Sequence, residues 1–382
     1  MAAANIPQKS LAMNGGDGVY SYSRNSFMQV IRFGSFFSFM SRGSIRDESS
    51  DMQKKGLDNA RTTMAKGILE KLDVKRLLEN SHSFVIADLG CSVGPNTFFV
   101  VQNIVENVIE KCSRCGIDIE GFEFQAFLND RASNDFNMLF RLLPSDKPYH
   151  VAAVPGSFHG RLFPKASVHL FHSSYSIQWL SQVPSQVQDE TSPAWNRGRI
   201  YMVDAPMAVT EAYRKQYAKD MEEFLDARAA ELVSDGLMAL LLPIAPTSSK
   251  CMFYGMVQLL ESVFTEFITA GSVSEAMLDS FNVPYYSPTS AELEAAVARD
   301  GRFIIENIER FERPNLERSQ GKIDAIIMHL RAGWEGVIKA HFGDDIIEPL
   351  FERFKEKVSE SFLLSDQGFE PTAEMLLLLK RL

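Results

Sequence analysis

An acidic residue and two glycines follow an apolar run in the first quarter of the chain. The run Phe84–Ala87 is typical of a buried parallel strand, and it leads directly into Asp88. Gly90 and Gly94 come next, before a helical pattern begins. Because glycine lets the backbone approach a ligand closely, the acid and the glycines could form a nucleotide-sized crevice at the end of the strand.

The same segment limits which nucleotide could bind. The dinucleotide pattern G-x-G-x-x-G is absent, and Pro95 offers no amide N–H where a pyrophosphate would need one. A cationic nucleoside without phosphate, above all S-adenosylmethionine, fits such a crevice. An ordinary turn between a strand and a helix is the alternative interpretation.

Composition and charge exclude several classes of protein. The 382 residues are 45% hydrophobic, enough for one large domain or two, and the net charge is −10. An acidic chain is a poor match for phosphates, so we expect no nucleic-acid partner. No run of 18 apolar residues and no signal-peptide pattern occurs, so we predict a cytoplasmic protein without a membrane partner. Four cysteines are too few for a disulfide scaffold.

Strand-like apolar runs alternate with helical patterns along the chain. The predicted strands lie at 84–88, 123–128, 151–154, 167–172, 236–243, 302–308 and 375–380. This alternation predicts an α/β fold with a doubly wound parallel sheet, and the last two strands would complete a seven-stranded sheet. Helical patterns at 251–300 and 319–361 interrupt the series and predict an α-helical cap over the strand ends.

Eight strings along the chain resemble the motifs of one family. They are MNGGDGVYSYSRNS (13–26), IADLGCSVGPN (86–96), FLNDRASNDFN (127–137), VPGSFHGRLFP (154–164), HSSYSIQWLS (172–181), AWNRGRI (194–200), DSFNVPYYSP (279–288) and HFGDDIIEPLF (341–351). In type and order they resemble the plant SABATH family, the salicylic acid, benzoic acid and theobromine-type methyltransferases. This resemblance implies a seven-stranded, Rossmann-like S-adenosylmethionine-dependent methyltransferase sheet with an α-helical cap. We also expect a homodimer.

The resemblance assigns the cofactor contacts. Asp130 would accept both ribose hydroxyls, while Ser157 and Phe158 would bond and stack the adenine. The N-terminal segment would close over the methionine end of the cofactor. The full predicted set is Tyr22, Ser26, Asp88, Cys91, Asn96, Asp130, Arg131, Ser157 and Phe158. Without the family, Asp130 could be a helix N-cap and the N-terminal segment a disordered tail.

The resemblance also implies how an acid substrate would be held. The predicted substrate contacts are Gln53, Tyr175, Gln178, Trp179, Met256, Val257 and Tyr286. The indole N–H of Trp179 and a glutamine amide would together bind the substrate carboxylate. A carboxylic acid is already ionised at neutral pH, so positioning and desolvation suffice and we predict no catalytic base. Methylation of a xanthine-type nitrogen is the alternative within the family.

Two further features of the sequence concern the size of the substrate and a possible metal site. Val257 stands where salicylate-type enzymes carry a tryptophan, which favours a plant acid larger than salicylate. Asn196, Asp279, Phe281 (through its carbonyl) and Asn282 match a magnesium site of some family members. Oxygen ligands of this kind suit a hard cation. An uncharged, hydrogen-bonded turn is the alternative.

The chain departs from the family near its N-terminus, where Phe27–Ser50 has the pattern of an insertion. Gln29 and Gln53 flank this segment, and only Gln53 precedes Asp88 by the family's spacing, so we assign it the carboxylate contact. The insertion could be ordered, or it could disable lid closure and leave a cofactor-binding protein without turnover. We divide the chain into an N-terminal lid segment (1–60), a methyltransferase core (61–245) and a helical cap interleaved with the last core strands (246–382).

Overall fold

The structure, a computed structural model, describes residues 12–26, 50–79, 81–246, 251–312, 320–361 and 373–382. For residues 50–59, 320 and 322 it describes the backbone alone. Gln29 and the predicted insertion Phe27–Ser50, except the backbone of Ser50, therefore lie outside the described residues. The side chain of Gln53 lies outside them as well.

Seven strands form one sheet in the spatial order β3-β2-β1-β4-β5-β7-β6. They are β1 (Ser83–Leu89), β2 (Glu123–Asp130), β3 (His150–Pro155), β4 (Val168–Ser174), β5 (Leu232–Pro243), β6 (Phe303–Glu312) and β7 (Ala373–Arg381). The seven-stranded α/β sheet predicted from the sequence is confirmed.

One strand of the sheet runs antiparallel to its neighbours. Strands β1 to β5 pair in parallel, whereas β7 is antiparallel to both of its neighbours, β5 and β6. Strands β5 and β6 therefore run in the same direction, and β7 lies between them in the opposite direction. A sequence pattern reports which residues of a strand are buried, and it carries no information about strand direction.

Eleven helices of the described residues surround or cap the sheet. They are α1 (Tyr22–Asn25), α2 (Ser50–Lys71), α3 (Val74–Leu78), α4 (Asn96–Arg114), α5 (Phe136–Arg141), α6 (Met207–Glu231), α7 (Met252–Thr269), α8 (Glu275–Asp279), α9 (Ser290–Asp300), α10 (Gln320–Phe342) and α11 (Ile347–Glu360). Among the helices of these described ranges, none is both long and apolar enough to cross a membrane.

Helices cover both faces of the central strands, which explains why those strands are apolar runs rather than alternating patterns. Ile86 of β1 lies in a buried cluster with Ile104 of α4 on one face. The adjacent residue Ala87 lies in a second buried cluster, which includes Phe224 of α6. Successive side chains of a strand point to opposite faces, so a continuous apolar run feeds both clusters.

The N-terminal segment 12–26 packs against the cap. The backbone N–H of Asn14 donates to the carbonyl of Ala332 in α10 at 3.0 Å. The guanidinium of Arg331 lies 3.3 Å from the ring centroid of Tyr20, a cation–π contact. These described residues therefore form an ordered segment, contrary to the disordered-tail alternative.

Candidate active site

The turn after β1 requires glycine at one position. Gly90 has a φ of +82°, and a Cβ atom there would lie 2.0 Å from Oγ of Ser176. The backbone N–H groups of Gly90 and Cys91 both donate to the carbonyl of Asn129, at 2.8 and 2.9 Å. The backbone of the turn at Gly90 is thus fixed by its close contact with Ser176 in the loop after β4 and by its two hydrogen bonds to β2.

Asp88 is buried and its carboxylate is engaged inside the fold. Nδ1 of His172 lies 2.7 Å from one oxygen, and the hydroxyl of Thr97 donates to the other at 2.5 Å. The sequence predicted a cofactor contact at Asp88. In the structure its carboxylate ties β1 to β4 and to the start of α4.

Asp130 is the last residue of β2 and is half-buried. Its oxygens accept the backbone N–H groups of Ser92 and Arg131, at 2.8 and 2.7 Å. Burial raises the pKa of Asp130 to about 6, and these two hydrogen bonds oppose the shift. Asp135 is the residue that caps α5, so the N-cap alternative for Asp130 is wrong.

Arg131 follows at the same edge of the sheet. Burial lowers the pKa of its guanidinium, and the nearby carboxylates of Asp130 and Asp220 oppose that shift. The side chain is therefore one of several charged groups gathered around the end of β2.

Part of the predicted lid lies over the glycine loop. A Cβ atom on Gly94 would lie 3.1 Å from Oγ of Ser26 and 4.0 Å from the ring of Tyr22. The amide of Asn96 donates to the carbonyl of Ser26 at 3.5 Å. Burial, and then the charge of Asp130, raise the pKa of Tyr22 above its usual value. Tyr22, Ser26, Asn96 and the loop that carries Cys91 are thus brought together near Asp130.

The loop after β3, which carries Ser157 and Phe158, is fixed by a buried ion pair that sequence reasoning missed. The fully buried Arg228 donates to the carbonyl of Phe158 at 2.6 Å and to that of Gly160 at 2.9 Å. Its Nε also donates to Glu231 at 2.9 Å. The only sequence signal is an arginine and a glutamate three residues apart in the long helix α6.

A cavity of about 180 Å³ lies beside this edge of the sheet. Its walls come from the N-terminal segment, the loop after β4, the ends of β5 and β7, and helices α7 and α10. Four predicted substrate residues, Tyr175, Gln178, Trp179 and Met256, line it. Tyr22 lines it too, so one side chain belongs both to the cavity wall and to the surroundings of Asp130.

Two predicted substrate residues have different positions. The side chain of Val257 lines a second, apolar cavity of about 10 Å³ behind Met256. Among the described residues, Tyr286 does not line the main cavity. Its hydroxyl instead donates to Glu292 at 2.8 Å. Its neighbours Tyr285 and Ser287 line the main cavity instead.

Trp179 is held from two sides. Its ring meets that of Tyr285 edge to face, with centroids 5.6 Å apart, and a β-bridge joins the two backbones. Two residues later, the backbone N–H and hydroxyl of Ser181 donate to the buried Asp220 at 2.8 and 2.7 Å. Asp220 of α6 therefore anchors the loop that carries Trp179, another contact that the sequence did not reveal.

The four residues proposed for magnesium surround one turn. The amide of Asn196 donates to Oδ1 of Asn282 at 2.7 Å, and Asp279 accepts the backbone N–H of Gly198 at 2.7 Å. Oδ1 of Asn196 is buried and accepts no hydrogen bond within the described residues. Oδ1 of Asn282 and Oδ1 of Asp279 are thus already hydrogen-bonded, whereas Oδ1 of Asn196 is not. No cluster of three His, Cys, Asp or Glu side chains suited to a metal occurs in the described part of the chain.

Comparisons with known proteins agree with this geometry. The sequence profile of the SAM-dependent carboxyl methyltransferases, where SAM is S-adenosylmethionine, matches residues 43–382. Loganic acid O-methyltransferase of Catharanthus roseus is 36% identical over 376 residues, covering 97% of this chain and 94% of that protein. A 3,7-dimethylxanthine N-methyltransferase of Camellia sinensis var. assamica is 35% identical over 362 residues, covering 90% of each protein.

A solved structure of loganic acid methyltransferase with SAH (S-adenosylhomocysteine) matches this fold with a TM-score of 0.84. The two are 36% identical, and the match covers 97% of this chain and 98% of that one. The family expected from the eight sequence motifs is confirmed: the chain is a member of the SAM-dependent carboxyl methyltransferase family.

Proposed function

We propose that this protein transfers the methyl group of SAM to the carboxylate of a small organic acid larger than salicylate, forming a methyl ester. The observation that carries the proposal is the position of Tyr22. Its side chain lines the cavity, and it lies close enough to Asp130 for that charge to raise its pKa. The cavity is therefore adjacent to the edge of the sheet that carries the predicted cofactor residues.

The cofactor residues keep the roles that the family implies. The half-buried Asp130 accepts the ribose hydroxyls with its carboxylate. Ser157 is exposed and Phe158 half-buried in the adjoining loop, as adenine binding and stacking require. Tyr22 and Ser26 cover the methionine end, above the loop of Cys91 and Asn96.

The chemistry needs positioning rather than a base. SAM supplies an electrophilic methyl group on its sulfonium. The indole N–H of Trp179 and the amide of Gln53 bind the acid, which is already ionised at neutral pH. The apolar wall of the cavity excludes water from the acid's oxygen and so preserves its nucleophilicity. With the acid oriented in this way, its oxygen would take the methyl group in one displacement: the oxygen–methyl bond forms as the sulfur–methyl bond breaks, and SAH leaves. Orientation by the protein replaces the entropy loss of a bimolecular encounter.

A substrate panel tests the proposal. Purified protein is incubated with labelled SAM and plant acids that range from salicylate to terpenoid, jasmonate-like and auxin-like acids, with theobromine as the nitrogen acceptor. Methyl esters of acids larger than salicylate are the expected products. Methylation of theobromine alone would establish the alternative, a xanthine-type N-methyltransferase.

A variant that lacks residues 27–50 tests the remaining alternative, binding without turnover. SAH binding is measured by calorimetry for both chains. Tight SAH binding by both, with ester formation only by the deletion variant, would mean that the insertion disables the enzyme. Ester formation by the full chain contradicts that interpretation.

Three further features belong to the proposal. Magnesium would bind Asn196, Asp279, Asn282 and the carbonyl of Phe281 as a structural ion, and the support for it is the buried, unbonded oxygen of Asn196. A rise in melting temperature on adding MgCl2, lost in Asp279→Ala, tests that site. We also propose that the protein is a homodimer, which light scattering checks. We propose a cytoplasmic location as well, which cell fractionation checks.

A further inference from the structure

Ser92, in the turn after β1, has a backbone conformation that serine rarely adopts. Its φ is +53°, in the left-handed region that favours glycine, and the residue is 5% exposed. Its Oγ is buried and has no hydrogen-bond partner within the described residues. The side chain therefore does not stabilise this conformation, and groups outside Ser92 must hold its backbone in place.

Two side chains at and beyond the end of β2 hold the peptide groups on either side of Ser92. The N–H of Ser92 donates to the carboxylate of Asp130 at 2.8 Å, and its carbonyl accepts the side-chain N–H of Asn134 at 3.0 Å. The thiol of Cys91 is a longer, weaker donor to the same carbonyl, at 3.5 Å. Because the backbone dihedrals of Ser92 set the angle between these two peptide groups, the two bonds together maintain the left-handed conformation.

Asn134 is the fixed end of the contact with the carbonyl of Ser92. It is 7% exposed, its backbone N–H donates to the carbonyl of Arg131, and its own carbonyl accepts the N–H of Phe136, both at 2.9 Å. These bonds belong to the turn between β2 and α5, so the amide of Asn134 is carried by a hydrogen-bonded connection. Without that amide, Ser92 would relax to a negative φ and turn its N–H away from Asp130.

We propose that Asn134 is a positioning residue of the cofactor site, which holds the backbone of Ser92 in its left-handed conformation so that its N–H meets the carboxylate of Asp130. This inference rests on the proposed contact between Asp130 and the ribose. Asn134 acts through Ser92 on the position and the charge of Asp130, and it takes no part in the methyl transfer itself.

Calorimetry with SAH tests this role. Asn134→Ala should weaken SAH binding by about tenfold at pH 7.5, because Asp130 loses a hydrogen bond that fixes its ionised carboxylate. Adding Ser92→Gly to that variant should restore the affinity to within about threefold of wild type, since glycine adopts a positive φ without external support. Adding Ser92→Ala should not restore it, because alanine keeps the Cβ atom that disfavours this conformation.

The pH dependence of SAH binding gives a second readout, which a merely structural role would not change. Burial raises the pKa of Asp130 to about 6, and the N–H of Ser92 opposes that shift. Asn134→Ala should therefore move the midpoint of the affinity loss upward by about half a pH unit or more, and Ser92→Gly should move it back. The other titratable groups that act on Asp130 stay unchanged in these variants; they are Tyr22, Asp88, Cys91 and Arg131.

Asn107→Ala is the matched control. It also removes a buried amide that donates to a backbone carbonyl, that of Asn103 at 2.7 Å, but far along α4 from the turn of Ser92. This control should lower the melting temperature and leave both the SAH affinity and its pH midpoint unchanged. If Asn134→Ala does not fold, Asn134→Leu, which fills the buried volume, takes its place.

The results separate this inference from the proposed ribose contact. Wild-type affinity and pH midpoint in Asn134→Ala, or equal recovery with Ser92→Ala and Ser92→Gly, would overturn the role of Asn134. The ribose contact would still stand if Asp130→Ala weakens SAH binding. An Asp130→Ala variant that binds SAH as tightly as wild type would overturn the ribose contact itself, and the role of Asn134 with it.

Discussion

The carboxylate of Asp130 accepts the backbone N–H of Ser92 at 2.8 Å, which ties the end of β2 to the glycine turn after β1. This bond holds the carboxylate at the edge of the sheet where the cofactor residues gather. Because burial outweighs the stabilising hydrogen bonds, the pKa of Asp130 lies near 6 rather than in the usual range for aspartate.

Cofactor binding should therefore depend on pH. Above pH 7 the carboxylate is ionised and, in the proposed complex with the cofactor, would accept both ribose hydroxyls. As the pH falls below about 6, protonation removes the charge and turns one oxygen into a donor, so SAH affinity should fall. We expect Asp130→Ala to weaken SAH binding by about 100-fold or more at pH 7.5, since two charge-assisted hydrogen bonds are lost.

Calorimetry with SAH between pH 5 and pH 8 checks this prediction. Asp130→Asn is the matched control, because it is isosteric and does not titrate, and its affinity should stay flat between these values. A wild-type affinity that does not change with pH would show that Asp130 is ionised throughout or does not contact the ribose.

The buried pair of Arg228 and Glu231 should be required for stability. Arg228→Met would leave the carboxylate of Glu231 buried without its cation and would free the loop of Phe158, at a cost of about 3–5 kcal/mol in the free energy of unfolding. Arg353→Met removes a solvent-screened surface pair with Glu266 and should destabilise the protein far less. Guanidinium-induced unfolding compares the two variants, and equal effects would refute a special role for the buried pair.

Asp220 should affect substrate binding without affecting the cofactor. In Asp220→Asn the side-chain NH2 that replaces Oδ1 faces the amide donor of Gln216, and the hydroxyl of Ser181 must change from donor to acceptor, so the loop of Trp179 should loosen. We expect kcat/KM for the acid to fall by about tenfold, with SAH binding unchanged. Asp226→Asn is the control, since Asp226 lies on the same helix with an exposed side chain that contacts Arg302. A parallel loss of SAH affinity would mean that Asp220 maintains the fold generally.

The two donors to the substrate carboxylate should act together. Trp179→Phe and Gln53→Ala each remove one donor to a charged group, so each should lower kcat/KM by roughly tenfold or more. The double variant should lose less than the product of the single effects, because both donors orient one carboxylate. Gln29→Ala is the comparison: if it abolishes activity while Gln53→Ala has no effect, the assignment across residues 27–50 is wrong.

The sheet could be predicted from the sequence because both faces of its central strands are covered. Runs such as Phe84–Ala87 are apolar throughout because their side chains pack into the core on each face of the sheet, and such runs are visible in a single sequence. The reversed direction of β7 could not be predicted, since it follows from pairing partners that are distant in sequence.

The site was predictable to a different extent. Asp130 and Trp179 occur in contiguous motifs and were found. Asp220 and Arg228 act through contacts 39 and 70 residues away in the chain, and no local pattern encodes such contacts. Tyr285 and Tyr286 show a smaller failure: the motif marked the segment, but only the backbone path determines which of two adjacent tyrosines faces the cavity.

The most direct test of the account is the identity of the methylated atom. Purified protein is incubated with methyl-labelled SAM and the acid panel, and the product is analysed by mass spectrometry before and after mild alkaline hydrolysis. The account predicts a labelled methyl ester that alkali converts back to the acid with release of labelled methanol. A labelled product that resists alkali and carries its methyl group on nitrogen would contradict it.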